Sequence, residues 1–196
     1  MTDNIRGYPR ICDHGADRIT LRFMSGMDEA EILRFARSLP ATDLLFLRRD
    51  ITHPKVVAAW LRDIDDGTIV TVLAVREKQI VGCAAIVTDA LSWSRHVGEL
   101  RVLVSPEMRG TGLGRALTQE AFALALANGL ERLTAQMTPD QQGALSMFSS
   151  LGFRPEALLR DHVKDRDGVT HDIVIVAHDV AKSAANHDAL GLAEAF

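Results

Sequence analysis

Hydrophobic and polar positions along the chain follow two rhythms, a period of two and a period near 3.6, and the rhythms alternate from the first third of the sequence to its end. Residues 18–23, RITLRF, put Ile19, Leu21 and Phe23 on one face and predict a strand. Asp28 then precedes EAEILRFARSLP, where Ile32, Phe35 and Leu39 recur at helical spacing until Pro40 stops the run. A second helix is predicted over THPKVVAAWLRDIDDG. Thr52 stands at its cap, Pro54 in its first turn, and Val57, Trp60, Leu61 and Ile64 form one stripe. TIVTVLAV and QIVGCAAIVTD flank Glu77-Lys78 and predict an antiparallel hairpin of β-branched residues, and residues 96–104 of HVGELRVLVSP predict another strand, stopped by Pro106.

The second half repeats the alternation. Leu113, Leu117, Ala121, Leu124 and Ala125 follow the helical period, with Gly129 placed as a C-terminal cap. ERLTAQMT is a strand, DQQGALSMFSSLG a helix, and PEALLRDHVKDRDGVTHDIVIVAHDV a hairpin turning at Asp167-Gly168. The order β-α-α-β-β-β-α-β-α-β-β describes a mixed α/β chain. Strands 96–104 and 131–138 are joined through a helix, so they are expected to lie parallel by a right-handed crossover. A single domain is expected over residues 18–182, with a loose segment at 1–17 and a tail at 183–196.

Composition removes several classes of function. The 196 residues are 47% hydrophobic and 24% charged, enough to bury a core without staples. The formal net charge of −4, with no run of Lys or Arg, disfavours a nucleic-acid partner. No stretch reaches the ~18 consecutive apolar residues of a membrane span. The polar start MTDNIRGYPRICDHGADR lacks the apolar core of a signal peptide, so the cytoplasm is the expected location. Cys12 and Cys83 are far apart and read as reduced thiols, and the His residues show neither H-x-x-x-H nor H-E-x-x-H spacing, so no metal site is expected.

Candidate chemistry centres on residues 109–116, RGTGLGRA, where three glycines alternate at the junction of a strand and a helix. A helix start carries unpaired N–H groups and partial positive charge, and glycines let an anion approach the backbone, so the stretch suits phosphate; the competing explanation is a tight packing turn. Neither G-x-x-x-x-G-K-[ST] nor G-x-G-x-x-G fits, because no Gly-Lys-Ser or Gly-Lys-Thr occurs and the sixth positions counted from Gly110 and Gly112 are Arg115 and Leu117. ATP and nicotinamide chemistry lose support.

The arrangement R/Q-x-x-G-x-G/A does fit, read as Arg109-Gly-Thr-Gly112-Leu-Gly114 after a strand ending VLVSPEM. It resembles the acetyl-CoA signature of the GNAT superfamily of N-acetyltransferases. QIVGCAAIV and ALSMFSSLGFRPE extend the likeness over roughly residues 19–180. The resemblance implies a mostly antiparallel central sheet with a parallel, splayed strand pair and flanking helices. It implies acetyl-CoA as co-substrate. Arg109, Gly110, Thr111, Gly112, Leu113, Gly114 and Arg115 would receive the pyrophosphate, Val102, Leu103 and Val104 would give main-chain bonds to the pantetheine arm, and Gln141 would be a polar contact.

The implied reaction is direct acetyl transfer to an amine, and a primary amine of pKa ~10.4 must lose a proton first. Glu99 shares a strand face with Val97, Arg101 and Leu103. It falls where the protein lysine acetyltransferase-type GNAT domains of bacteria carry a catalytic Glu, which makes it the candidate general base. Arg101 on the same face offers the alternative of a structural ion pair. The run N-x-x-A-x-x-x-Y, whose Tyr serves many members as general acid, reads here as Gln141, Ala144 and Phe148; Ser146, Ser149 or a water would replace the phenol. The acceptor implied is a protein lysine or a small amine, and the family admits a homodimer. His96 as proton shuttle, Asp161, Asp165, Asp167 and Asp172 as attractants for an amine, and Trp60 and Trp93 as pocket walls complete the candidates, each with a plain structural reading beside it. The class outside catalysis is a module that binds acetyl-CoA without turning it over.

Overall fold

A computed structural model describes residues 7–15 and 17–181, and the predicted tail at 183–196 lies outside them. The strands are β1 (Arg10–His14), β2 (Asp17–Phe23), β3 (Ile69–Arg76), β4 (Gln79–Val87), β5 (Val97–Val104), β6 (Arg132–Met137), β7 (Arg154–Lys164) and β8 (Thr170–Asp179). The helices are α1 (Glu29–Ser38), α2 (Pro54–Asp65), α3 (Leu113–Ala127) and α4 (Gln142–Ser150). One eight-stranded sheet has the order β1-β2-β3-β4-β5-β6-β8-β7. Every neighbouring pair is antiparallel except β5 with β6. The chain therefore has the expected mixed α/β sheet with one parallel pair.

Helices cover both faces. On one, Leu113, Leu117, Ala121 and Leu124 of α3 and Phe148 of α4 pack on Leu100, Leu133 and Ala135 of the sheet. On the other, Ile32 and Phe35 of α1 with Val57 and Trp60 of α2 pack on Leu73, Cys83 and Leu103. Coverage on both sides explains why β4 is buried along seven consecutive positions instead of alternating. Trp60 is held in place by its indole N–H, which donates to Thr71 Oγ1 at 3.0 Å. The Glu77-Lys78 turn takes φ values of 47° and 73°, as a two-residue hairpin requires. Gly129, at φ 69°, follows α3 at the expected cap.

Two details differ from the pattern. Within residues 1–17, Arg10–His14 form the edge strand β1 on β2. Its polar composition hides it, but Arg10 Nη1 reaches Glu120 Oε1 on α3 at 2.9 Å and Tyr8 donates to Glu120 Oε2 at 2.5 Å, tying the strand to the core side of that helix. At α2 the cap position falls to His53, not Thr52. The Thr52 hydroxyl donates to Asp50 Oδ1 at 2.7 Å and accepts from Arg166, so the β7–β8 turn has claimed it. No helix among the described residues is long and apolar enough to cross a membrane.

Candidate active site

Strands β5 and β6 begin as parallel partners and then part. Their register runs from Val97↔Arg132 to Leu100↔Ala135 and stops, after which β5 stays with β4 and β6 stays with β8. The wedge opens a cleft of about 810 Å³, within the range of small-molecule sites. Val102, Leu103, Val104, Arg109, Gly110, Gly112, Gly114, Arg115 and Gln141 all line it.

The free edge of β5 has a definite polarity. The Ser105 N–H donates to the Val81 carbonyl at 2.9 Å, and hydrogen-bonded positions alternate along an antiparallel pair. Leu103 and Arg101 therefore spend their peptide groups on β4. Val102 and Val104 turn theirs to the side that β6 has vacated. Of the three residues expected to offer main-chain bonds, two present them to the cleft, while Leu103 spends its peptide group on β4 and packs in the core beneath α1 and α2.

At the far end of β5 the glycine turn places the start of α3 at the cleft. Gly110 and Gly112 hold φ values of 77° and 89°, conformations that side chains disfavour. Gly114 leaves room beside Val104 and Met147, whose nearest atoms would stand 3.6 and 3.5 Å from a Cβ there. The first turn of α3 has N–H groups with no carbonyl four residues earlier to accept them, which is the donor set an anion needs. Thr111 and Leu113 do not line the cleft: the Thr111 hydroxyl donates to the Met108 carbonyl at 2.8 Å, and the Leu113 side chain is fully buried in the core. The Leu113 N–H itself lies 3.4 Å from Thr111 Oγ1, so neither residue offers the cleft a side-chain contact. Arg115 bonds Ser150 Oγ on the opposite rim, and Arg109 pairs with Asp43 from the segment between α1 and α2.

The donor set, the unpaired strand edge and the backbone approach allowed by the glycines fit the pyrophosphate and amide arm of a coenzyme A thioester. Phe148 also lines the cleft, buried and edge-on to Phe153 with ring centres 4.8 Å apart. Ser146 lines it as well, whereas Ser149 does not.

Glu99 lies on the other face of β5, with Arg101 and Leu103. Arg101 Nε bonds Glu99 Oε1 at 2.8 Å, and Arg48 Nη2 stands 3.4 Å from Oε2. The ion pair anticipated from the strand alternation thus forms, and a second cation from the α1–α2 segment joins it. Beside this pair a pocket of about 220 Å³ opens under α2, walled by Arg48, Arg49, Arg101, Trp60 and Val87 among others. Leu103 lines both the pocket and the cleft, and the segment after α1 supplies Asp43 and Phe46 to the cleft and Leu47, Arg48, Arg49 and Ile51 to the pocket. Asp43 and Arg48 carry no periodic signal in ATDLLFLRRD and were not legible from the sequence.

The remaining candidates lie elsewhere. His96 and Trp93 line a separate cleft of about 730 Å³ at the opposite end of β5, with Trp93 almost wholly exposed. Among the acidic hairpin residues, Asp172 accepts from the Asp161 N–H and Asp161 from Thr170. Asp165 accepts from His171, Val169 and Asp167, bonds that hold its carboxyl below the usual range, the His171 bond first. They fasten the turn. Cys12 and Cys83 are unpaired thiols, and full burial pushes the Cys83 thiol up to about 12.

Comparison with known proteins gives a consistent picture. The family model described as acetyltransferase (GNAT) family matches residues 34–153. A mycothiol acetyltransferase from Thermobispora bispora is 41% identical over 58 residues, 29% of this chain and only 20% of that relative's length. A GNAT-family acetyltransferase from Streptococcus pneumoniae superposes with a TM-score of 0.71 at 22% identity, covering 82% of this chain and 99% of its own. YncA of Salmonella typhimurium, solved with its cofactor acetyl-CoA, gives 0.68 at 19% identity, covering 83% and 94%. At these identities the two structures speak for the fold.

Proposed function

The chain belongs to the acetyltransferase (GNAT) family, and from that premise we propose that it is an acetyl-CoA-dependent N-acetyltransferase that moves the acetyl group directly to an amine. The observation that carries the reading is the wedge itself: β5 leaves the Val102 and Val104 peptide groups unpaired along a cleft that ends at the glycine-lined start of α3.

The amide arm of the coenzyme takes the place of the missing strand neighbour along β5, and the pyrophosphate meets the N–H groups of the α3 start with Arg109 and Arg115 beside it. The acetyl thioester then reaches the level where the strands part. Glu99 accepts the proton of the attacking amine, directly or through a water. Each carboxylate oxygen faces one guanidinium group and keeps a further lone pair on which the proton is accepted. The thiol of coenzyme A, with a pKa near ~8.5, leaves without a phenol at Phe148.

A calorimetric titration with acetyl-CoA, using ATP and NADH as controls, tests the coenzyme site, and micromolar binding confined to acetyl-CoA is expected. Thiol release with a panel of amines follows, for wild type and Glu99→Gln. Loss of the base is expected to cut kcat/KM about 100-fold or more at unchanged coenzyme affinity. Absence of acetyl-CoA binding overturns the reading, and binding without thiol release from any amine reduces it to a coenzyme-binding module.

A further inference from the structure

The pocket beneath α2 has a charge balance that bears on which amine enters. Arg48, Arg49 and Arg101 line it against a single carboxylate, Asp63. Its next acidic neighbour, Glu99, is already paired with two of the three arginines, and Asp50 beside Arg49 is bonded to Arg166 at 2.8 Å and to Thr52. Three guanidinium groups against the carboxylates of Asp63 and Glu99 leave one positive charge in surplus. A polyamine or a lysine in a basic peptide would bring more positive charge into it, which like-charge juxtaposition opposes.

Resting on the acetyltransferase reading above, we propose that this pocket selects amines carrying a carboxylate close to the nitrogen, namely free α-amino acids with an apolar side chain. Arg101 and Arg48 are the groups that recognise the carboxylate. A guanidinium matches a carboxylate with two parallel N–H bonds, and Arg101 commits only its Nε to Glu99. In an α-amino acid the ammonium sits one carbon from the carboxylate, so an acceptor held by the arginines brings its nitrogen to Glu99. Trp60, Ile69, Val87 and Leu103 supply the apolar wall for the side chain.

The same contact prepares the base. Arg101 keeps its Nε on Glu99 while its other N–H groups hold the acceptor carboxylate, and an open lone pair of Glu99 takes the ammonium proton. The N–C bond to the acetyl carbonyl then forms and the C–S bond breaks. The amine's second proton goes to water, and coenzyme A leaves as thiolate that takes a proton from solvent.

Matched acceptors test the proposal: L-phenylalanine against phenethylamine, L-leucine against 3-methylbutylamine, and a neutral peptide with one lysine. Thiol release is followed with acetyl-CoA, and binding by calorimetry with coenzyme A present. The expected result is at least tenfold higher kcat/KM and at least tenfold tighter binding for each amino acid over its decarboxylated partner. Because Arg101 also touches Glu99, Arg101→Gln alters proton removal for every acceptor, but the ratio within a matched pair cancels that effect. The ratio is expected to fall to within threefold, with unchanged acetyl-CoA affinity showing that the variant is folded. Arg48→Gln, at an exposed side chain, should narrow the ratio in the same direction. Equal or inverted preference, with thiol release intact, overturns this proposal and leaves the acetyltransferase standing. Failure of acetyl-CoA to bind overturns both.

Discussion

Asp43 and Arg109 pair across the mouth of the cleft, joining the segment after α1 to the turn that carries the glycines. Asp43 draws one Nη of Arg109 and neutralises charge that a coenzyme phosphate would meet, so the pair competes with the ligand. Asp43→Asn is expected to tighten acetyl-CoA binding about twofold to fivefold, the ~1 kcal/mol upper range of a rim ion pair, with little change in Tm. Arg109→Ala should weaken binding tenfold or more, since a charge-assisted contact contributes about 1.5–3 kcal/mol. Calorimetry on the two variants checks both, and weaker binding by Asp43→Asn would show that the pair shapes the site instead of competing for it.

Gly112 and Gly114 stand two residues apart and should respond oppositely to alanine. At Gly112 there is space, the nearest atom being His14 Nδ1 at 4.0 Å, but φ is 89°. Gly112→Ala is expected to cost about 1–2 kcal/mol and, by moving the helix start, to weaken acetyl-CoA binding at least tenfold. Gly114 is inside α3, where a Cβ makes ordinary contacts with Val104 and Met147. Gly114→Ala should raise Tm by about 1–4 °C and leave affinity within threefold. Thermal melts paired with titrations separate the two.

How far the site could be read from sequence follows from what kind of signal each part carries. Local periodicity marked α1 to α4 and the strands on both faces, since burial imposes a period of two or 3.6. The glycine turn was legible because its residue types have few other uses. β1 was not, because its polar residues show no alternation and the bonds that anchor it to α3, from Tyr8 and Arg10 to Glu120, span more than a hundred residues. The alternation put Glu99 and Arg101 on one face, but Arg48 reaches them from an irregular segment with no rhythm to read. Which peptide groups of β5 are free depends on where β6 departs, a property of the sheet and not of either strand.

Asp28 carries an acid-sensitive part of the stability. It is nearly buried, accepts two bonds from Arg22 at 2.8 and 2.5 Å and one from the Ser25 N–H at 2.9 Å. The Arg22 bond first, and then the Ser25 bonds, hold its carboxyl below the ordinary range against the opposing effect of burial. A depressed folded pKa means stabilisation that is present above the unfolded value of about 3.9 and lost as pH falls through the folded one. Asp28→Asn is expected to cost about 2–3 kcal/mol near neutrality and to flatten the loss of Tm between about pH 5 and pH 2. Parallel acid melting curves for wild type and variant would contradict this account.

Gly82 and Gly98 test whether the β5 edge is held in position from behind. A Cβ at Gly98 would lie 2.9 Å from Ile86 Cγ2 and Leu130 Cδ1, both ends of side chains in the core. Gly98→Ala is therefore an overpacking change, expected to cost about 1–3 kcal/mol and to lower Tm by about 2–10 °C. At Gly82 the obstacle is the Leu103 carbonyl oxygen at 3.0 Å, with Leu117 Cδ1 at 3.1 Å. A carbonyl cannot rotate away as a side chain can, so relief must come from displacing β5 itself. Gly82→Ala should then lose stability of the same size and also weaken acetyl-CoA binding at least fivefold, because Val102 and Val104 move with the strand. If titration finds coenzyme affinity unchanged in Gly82→Ala, the free edge of β5 does not carry the coenzyme arm.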